Sequence, residues 1–204
     1  MTAQPKGRTL ALVGMPGAGK TLCAKHLEQR NFFQFRFGSI VTDEVLRRGL
    51  PLTPEHERIV REEFRARDGM DAIAKRALPL LQAALQQHDC IVIDGLYSQS
   101  EYRTLREALG DTIILVAIVA ERRLRYERLA QRSERPLTFE EAEERDMREI
   151  EHIEKGGPIA LADYTLLNNG EPEALLARLD ALLERLNFRP QPPCNPSQEP
   201  RTEV

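Results

Sequence analysis

Thr9 to Val13 is a short apolar, β-prone run that stops at a glycine, which predicts a buried strand. Residues 20–30 read as a helix, with Leu22, His26 and Leu27 among its inward positions. Phe32 to Phe37 carries aromatics at 32, 33, 35 and 37 and predicts a second strand packed in the core. Thr42 to Arg48 reads as a short helix closed by Gly49. Thr53-Pro54-Glu55 then starts another, with Thr as N-cap and Pro at the first helical position, and Gly69 stops it. Over 71–87, Ile73, Ala77, Leu81, Ala84 and Leu85 recur at helical spacing, with Pro79 a possible kink. Cys90 to Asp94 and Ile113 to Val119 predict a third and fourth strand.

Residues 121–132 form an Arg-rich helix in this reading, and Thr138 to Glu141 is a capping box that opens a long polar helix ended by Gly156-Gly157-Pro158. Tyr164 to Leu167 is the fifth strand. Pro172 starts a last helix with Leu175, Leu176, Leu179, Leu182, Leu183 and Leu186 on one stripe. Apolar strands alternating with helices define an α/β class with a parallel sheet covered on both faces and right-handed crossovers. Residues 1–8 are polar and read as loose. Residues 189–204 hold five prolines and little apolar surface, so the composition predicts a disordered tail. The domain is therefore placed at 1–188, with its folded part near 9–188.

Composition narrows the function classes. With 29 basic and 32 acidic residues the net charge is −3, so no global basic excess draws the chain to nucleic acid or to an anionic membrane. The longest apolar run, Ile113 to Ala120, is too short to span a bilayer, and Met1 to Arg8 lacks a secretory apolar core. Cys23, Cys90 and Cys194 lie far apart. Cys23 and Cys90 read as buried small residues of a cytoplasmic protein, and Cys194 as an exposed one. Arg outnumbers Lys 24 to 5, which supplies many permanently charged planar groups suited to phosphate.

Gly14 to Thr21 reads G-M-P-G-A-G-K-T and fits G-x-x-x-x-G-K-[ST], with a strand before it and a helix after it. In that pattern the loop from Gly14 through Pro16 curls around an anion, and the backbone N–H groups of Gly17, Ala18, Gly19 and the start of the helix through Leu22 point at it. Lys20 reaches the β- and γ-phosphates, and the Thr21 hydroxyl is placed for Mg²⁺. Asp94 ends a parallel strand at its carboxyl edge, where a carboxylate can hold Mg²⁺ or orient an acceptor hydroxyl; the plainer reading is an N-cap. Arg125, Arg128 and Arg132 recur at spacings of three and four, sharing one helix face, with Arg135 in the loop beyond. That face reads either as a lid over a transferring phosphoryl group, with Arg128 and Arg132 as its working residues, or as a solvated surface paired with neighbouring Glu. Arg122 and Arg123 read as surface. His26, His56, His88 and His152 lack ligand-spaced partners and read as core or surface residues.

These motifs resemble those of the P-loop small-molecule kinases that include adenylate kinase and other nucleoside monophosphate kinases. The chain is more closely similar to the adenylate-kinase-related or dephospho-CoA-kinase-related branch. The shared segments are G-M-P-G-A-G-K-T at 14–21, F-G-S-I-V at 37–41, V-I-D-G at 92–95, R-x-x-R-L-x-x-R at 125–132 and I-A-L-A-D-Y-T-L-L-N-N-G at 159–170. The resemblance implies a three-layer α/β/α fold with a five-stranded parallel sheet in order 2-3-1-4-5. It implies a helical acceptor-binding insertion at about 42–88 and a short lid at about 132–138. ATP and Mg²⁺ follow as cofactors, with Asn168, Asn169, Gly170 and Glu171 beside the adenine.

Two acceptor-site arginines expected in such kinases are replaced here by Thr42 and by Leu96-Tyr97-Ser98. Arg36, Arg47, Arg48, Arg61, Arg65 and Arg103 are the candidates to substitute. The leading expectation is transfer of the γ-phosphoryl of ATP to a nucleotide-like small molecule by a monomer or homodimer. The alternatives are dephospho-CoA kinase-like attack by a ribose hydroxyl, with Asp94 or Asp43 as base, and a nucleotide-binding switch with little kinase activity.

Overall fold

The computed structural model describes residues 7–133 and 135–190. Its strands are β1 (Arg8–Val13), β2 (Phe33–Arg36), β3 (Cys90–Asp94), β4 (Ile113–Val119) and β5 (Tyr164–Leu167). They form one parallel sheet in the order β2-β3-β1-β4-β5, as the resemblance implies. β1 lies centrally, with Thr9 opposite Ile91 on one side and Ile113 on the other.

Side chains alternate along each strand, and here both faces are covered, so β1 is apolar from Leu10 to Val13. Leu10 and Leu12 face a core closed by α1 (Lys20–Gln29) and α9 (Pro172–Arg185). Ala11 and Val13 face the other core, under α2 (Phe37–Arg47), α3 (Pro54–Asp68), α4 (Ala72–Ala84) and α5 (Gln99–Leu109). The Leu stripe of α9 lies on the sheet through Leu175, Leu179, Leu182 and Leu183. A third cluster of Tyr126, Leu129 and Ala142 joins α6 (Arg122–Ala130) to α7 (Phe139–Ile153). The short α8 (Gly156–Ala160) follows.

Several boundaries differ from the sequence reading. Phe37 starts α2 instead of ending β2, because the pairing of the edge strand β2 with β3 runs from Phe33 opposite Ile91 and stops at Arg36 opposite Asp94. On that edge Phe33 stays partly exposed against the His88 ring, while Phe32 and Phe37 are buried. Arg8 is part of β1, and its guanidinium donates to the Leu186 and Asn187 carbonyls, so the first strand and the end of the last helix are tied together. Gly156-Gly157-Pro158 does not end α7: Glu154 does, in the left-handed region, and the glycines open α8. Helix α5, which periodicity did not single out, is fixed by a capping box between Ser98 and Glu101. Phe188 is fully buried and stacks on Phe32. Cys23 and Cys90 are buried free thiols, and burial pushes Cys23 up to about 12. Cys194, the tail expected at 189–204 except Arg189 and Pro190, and the first six residues lie outside the described residues. No helix among the described residues is long and apolar enough to cross a membrane.

Candidate active site

The loop between β1 and α1 is held by close backbone contacts. Gly17 has φ 77° and Gly19 φ 112°, values that side chains disfavour. A Cβ on Gly17 would lie 2.6 Å from the Arg125 carbonyl oxygen, and one on Gly19 would lie 2.4 Å from Asn168 Nδ2. The loop is therefore wedged between α6 and the β5–α9 turn. Gly19 caps α1 without a side chain, so the first-turn N–H groups stay directed at the loop's interior, with the positive end of the helix behind them.

Asn168 locks this arrangement. It is buried, its Nδ2 donates to the Ala18 carbonyl at 2.8 Å, and its own N–H donates to Val119. Arg128 Nη2 reaches Asn168 Oδ1 at 3.5 Å, while Arg128 Nη1 is buried with no partner among the described residues. Asn169 joins the loops by accepting from the Glu121 N–H at 2.9 Å and donating to its carboxylate at 3.1 Å. Gly170 has open space around it, and Leu22 packs partly against the α1–α9 core.

Arg125 departs from the sequence reading. It does not share a working face with Arg128 and Arg132. It is buried, pairs with Asp146 of α7, and donates to the Pro16 carbonyl at 2.9 Å. Tyr126 donates to the same carboxylate. Helix α6 ends at Ala130, so Arg132 lies past it in the following segment. Arg122 and Arg123 are exposed, paired with Glu143 and Glu127.

In front of the loop lies a cavity of about 690 Å³. Gly17, Gly19, Lys20 and Thr21 line one end, and Asp94 and Tyr97 line its floor at the carboxyl edge of β3. Arg128, Arg132, Arg135 and Arg145 line another side. Helix α3 contributes Pro54, Glu57, Arg61 and Arg65 to the lining. Thr53, whose hydroxyl accepts from the His56 N–H, starts that helix as its sequence predicts.

The cavity thus selects among the candidate arginines. Arg61 and Arg65, one turn apart, face it. Arg47 and Arg48 are held by Glu44, and Arg36 by Glu28. Arg65 Nε is buried without a partner among the described residues, and so is Glu101 Oε1; burial lowers Arg65, partly offset by Glu101. Asp43 is exposed on α2 and does not line the cavity, which leaves Asp94 as the candidate base. Thr42 is used locally, its hydroxyl donating to the Ser39 carbonyl.

Lys20 Nζ donates to the carbonyls of Gly14 at 2.7 Å and Met15 at 3.2 Å. Burial, together with the neighbouring Lys155 ammonium, pulls Lys20 down to about 7 against the opposing effect of Glu149 and Asp94. Lys155 and Glu149 also line the cavity and were not among the sequence candidates. Their signal was hidden in a run so rich in charge that single members look alike. The Thr21 hydroxyl and Asp94 carboxylate form a hard-oxygen pair on this cavity, a donor set that fits a small divalent cation keeping several waters.

A parallel sheet in this order, with a glycine-rich loop clasped at the amino end of the helix after β1, defines a P-loop α/β protein. Comparison agrees: the AAA_18 family, described as an AAA domain, matches residues 10–151. A UPF0200 protein of Thermococcus kodakarensis, TK1334, is 40% identical over 178 residues, spanning 86% of this chain and 96% of that one. A UPF0200 protein of Thermococcus gammatolerans is 38% identical, spanning 86% and 93%. The chain belongs to the UPF0200 family, and its residues 10–151 to the AAA_18 family. Among solved structures, TT1252 from Thermus thermophilus superposes with TM-score 0.58 at 18% identity, covering 88% of this chain and 98% of that one. Shikimate kinase from Bacteroides thetaiotaomicron superposes with TM-score 0.54 at 15% identity, covering 87% and 98%. The fold is that of P-loop kinases.

Proposed function

We propose that this protein is an ATP-dependent phosphotransferase that moves the γ-phosphoryl of ATP to a nucleotide-like small molecule. One observation carries the reading: a single cavity of about 690 Å³ runs from the phosphate loop to a second pair of arginines, Arg61 and Arg65, on α3. A site for a triphosphate alone has no use for these two further cations beside Lys20, Arg128, Arg132 and Arg145. Such a cavity suits two anionic substrates aligned for in-line transfer.

In this reading the loop amides and Lys20 hold the β- and γ-phosphates of the donor. Asn169 and Gly170 border its base, the insertion at 42–88 carries the acceptor, and the segment at 132–138 acts as a lid. Thr21 and Asp94 hold Mg²⁺, which when bound neutralises charge on the phosphates. Asp94 also lies where it can orient an acceptor hydroxyl. Arg128, Arg132 and Arg135 contribute charge around the group that moves. Arg61 and Arg65 take the part of the arginines replaced by Thr42 and Tyr97, and bind an anionic group on the acceptor.

The test separates the two ends. Lys20→Ala lowers turnover by ~100-fold or more with the fold retained. Arg61→Ala raises the acceptor KM by ~10-fold or more and leaves the ATP KM within ~2-fold, as expected for one charge-assisted contact. Steady-state kinetics with circular dichroism as the folding control decides. Wild-type turnover in Lys20→Ala rules out the phosphate-loop assignment, and an unchanged acceptor KM in Arg61→Ala rules out the α3 assignment.

A further inference from the structure

Lys155 is 5% exposed, yet it lines the cavity. Its placement is built by unusual local structure. Helix α7 ends on Glu154, a non-glycine residue at φ 56°, a left-handed conformation that side chains disfavour unless something compensates. The compensation is visible: the Glu154 carboxylate accepts from the Ser100 N–H at 2.9 Å and from its hydroxyl at 2.7 Å. Gly157 then lets the chain approach α5, since a Cβ there would lie 2.7 Å from the Gln99 side chain. The turn directs Lys155 inward, where its ammonium donates to Glu149 and lies 4.7 Å from the centroid of the Tyr97 ring.

A buried ion pair is a poor way to gain stability, because desolvation offsets most of the attraction. This one also does not balance. The single Glu149 carboxylate serves two cations, Lys155 on Oε2 and Arg145 on Oε1. Lys155 and Lys20 repel each other across the cavity. An ammonium has three N–H donors, of which Glu149 takes one and the Tyr97 face shields another. The remaining donor is available to the cavity, which Asp94 and Lys20 also line.

We propose that Lys155 is a second phosphate-contacting lysine, which binds the γ-phosphoryl of ATP together with Lys20. Glu149 and the turn at Glu154 position it. This assignment rests on the ATP-dependent reading above. It adds a catalytic residue that the phosphate-loop motif does not contain.

The experiment is calorimetric titration of the full chain with Mg·ATP and Mg·ADP, which differ only in the γ-phosphoryl. Lys155→Met weakens ATP binding by ~10-fold or more, as for one charge-assisted hydrogen bond, and leaves ADP binding within ~3-fold. Lys155→Arg recovers most of the ATP preference. Because Lys155→Met strands Glu149 beside Arg145 alone, the double variant Glu149→Gln/Lys155→Met is measured in parallel, and it shows the same loss of ATP preference. If the ATP-to-ADP affinity ratio stays at the wild-type value in both Met variants, Lys155 is a structural partner of Glu149 and the proposal fails, while the ATP-dependent reading stands. If the wild-type chain binds neither nucleotide, both fail together.

Discussion

Lys20 is where motif, burial and charge meet. The eight-residue motif around it was legible because its chemistry is local: glycines for close backbone approach, a lysine for phosphate, a hydroxyl for the cation. Its ionisation was not legible, because the groups that shift it come from β3 and from α7 and the turn after it. That shift has a consequence in solution. The free protein holds Lys20 with a lowered pKa of about 7, whereas a bound triphosphate favours the charged form and raises it. Between those two values the complex carries more protons than the free protein. Nucleotide binding therefore takes up a proton, and affinity falls as pH rises above 7, by up to about tenfold per pH unit. Calorimetry at pH 8 in buffers of different ionisation enthalpy should register uptake in the wild type and none in Lys20→Met. A pH-independent affinity between 6 and 8.5 would contradict the assignment.

At the scale of elements, β1, β3 and β4 were readable because they are buried, bounded apolar runs, and the edge strands β2 and β5 because aromatic and β-branched residues mark them. Edges and ends were harder. Periodicity carried Arg125, Arg128 and Arg132 along one face, but α6 stops at Ala130 and tertiary pairing turns Arg125 inward to Asp146. The partner lies 21 residues away in another helix, so no local pattern reports it. Through this pair α7 braces the phosphate loop at Pro16. Asp146→Ala leaves Arg125 buried and unpaired, which costs about 3 kcal/mol or more. Urea unfolding measures that loss, and nucleotide affinity should fall with it. A change under about 1 kcal/mol would show that α6 and α7 do not depend on the pair.

For the whole molecule, the donor half was legible and the acceptor half was not. The phosphate loop is one contiguous segment, while the rest of the cavity lining is assembled from α3, the β3–α5 turn, α6, α7 and the segments that follow them. Arg61 and Arg65 stood among six equal candidates until the fold selected them. The lid assignment belongs to this scale too, since a lid acts only when both substrates are present. Arg132→Ala should bind ATP within a few-fold of wild type yet lose ~100-fold or more in transfer. Full turnover in both Arg132→Ala and Arg128→Ala would mean that these residues are solvated charges with no part in closure.

The central claim is that one cavity brings ATP and an anionic acceptor together for transfer. It is tested most directly by incubating the chain with γ-labelled ATP and Mg²⁺ against nucleoside monophosphates, nucleosides and dephospho-CoA, and following where the label goes. The account predicts label on at least one acceptor carrying a phosphate, at a rate far above release to water and abolished in Lys20→Ala. Label appearing only as inorganic phosphate, or remaining on ATP, with every acceptor would contradict it and favour a nucleotide-binding switch.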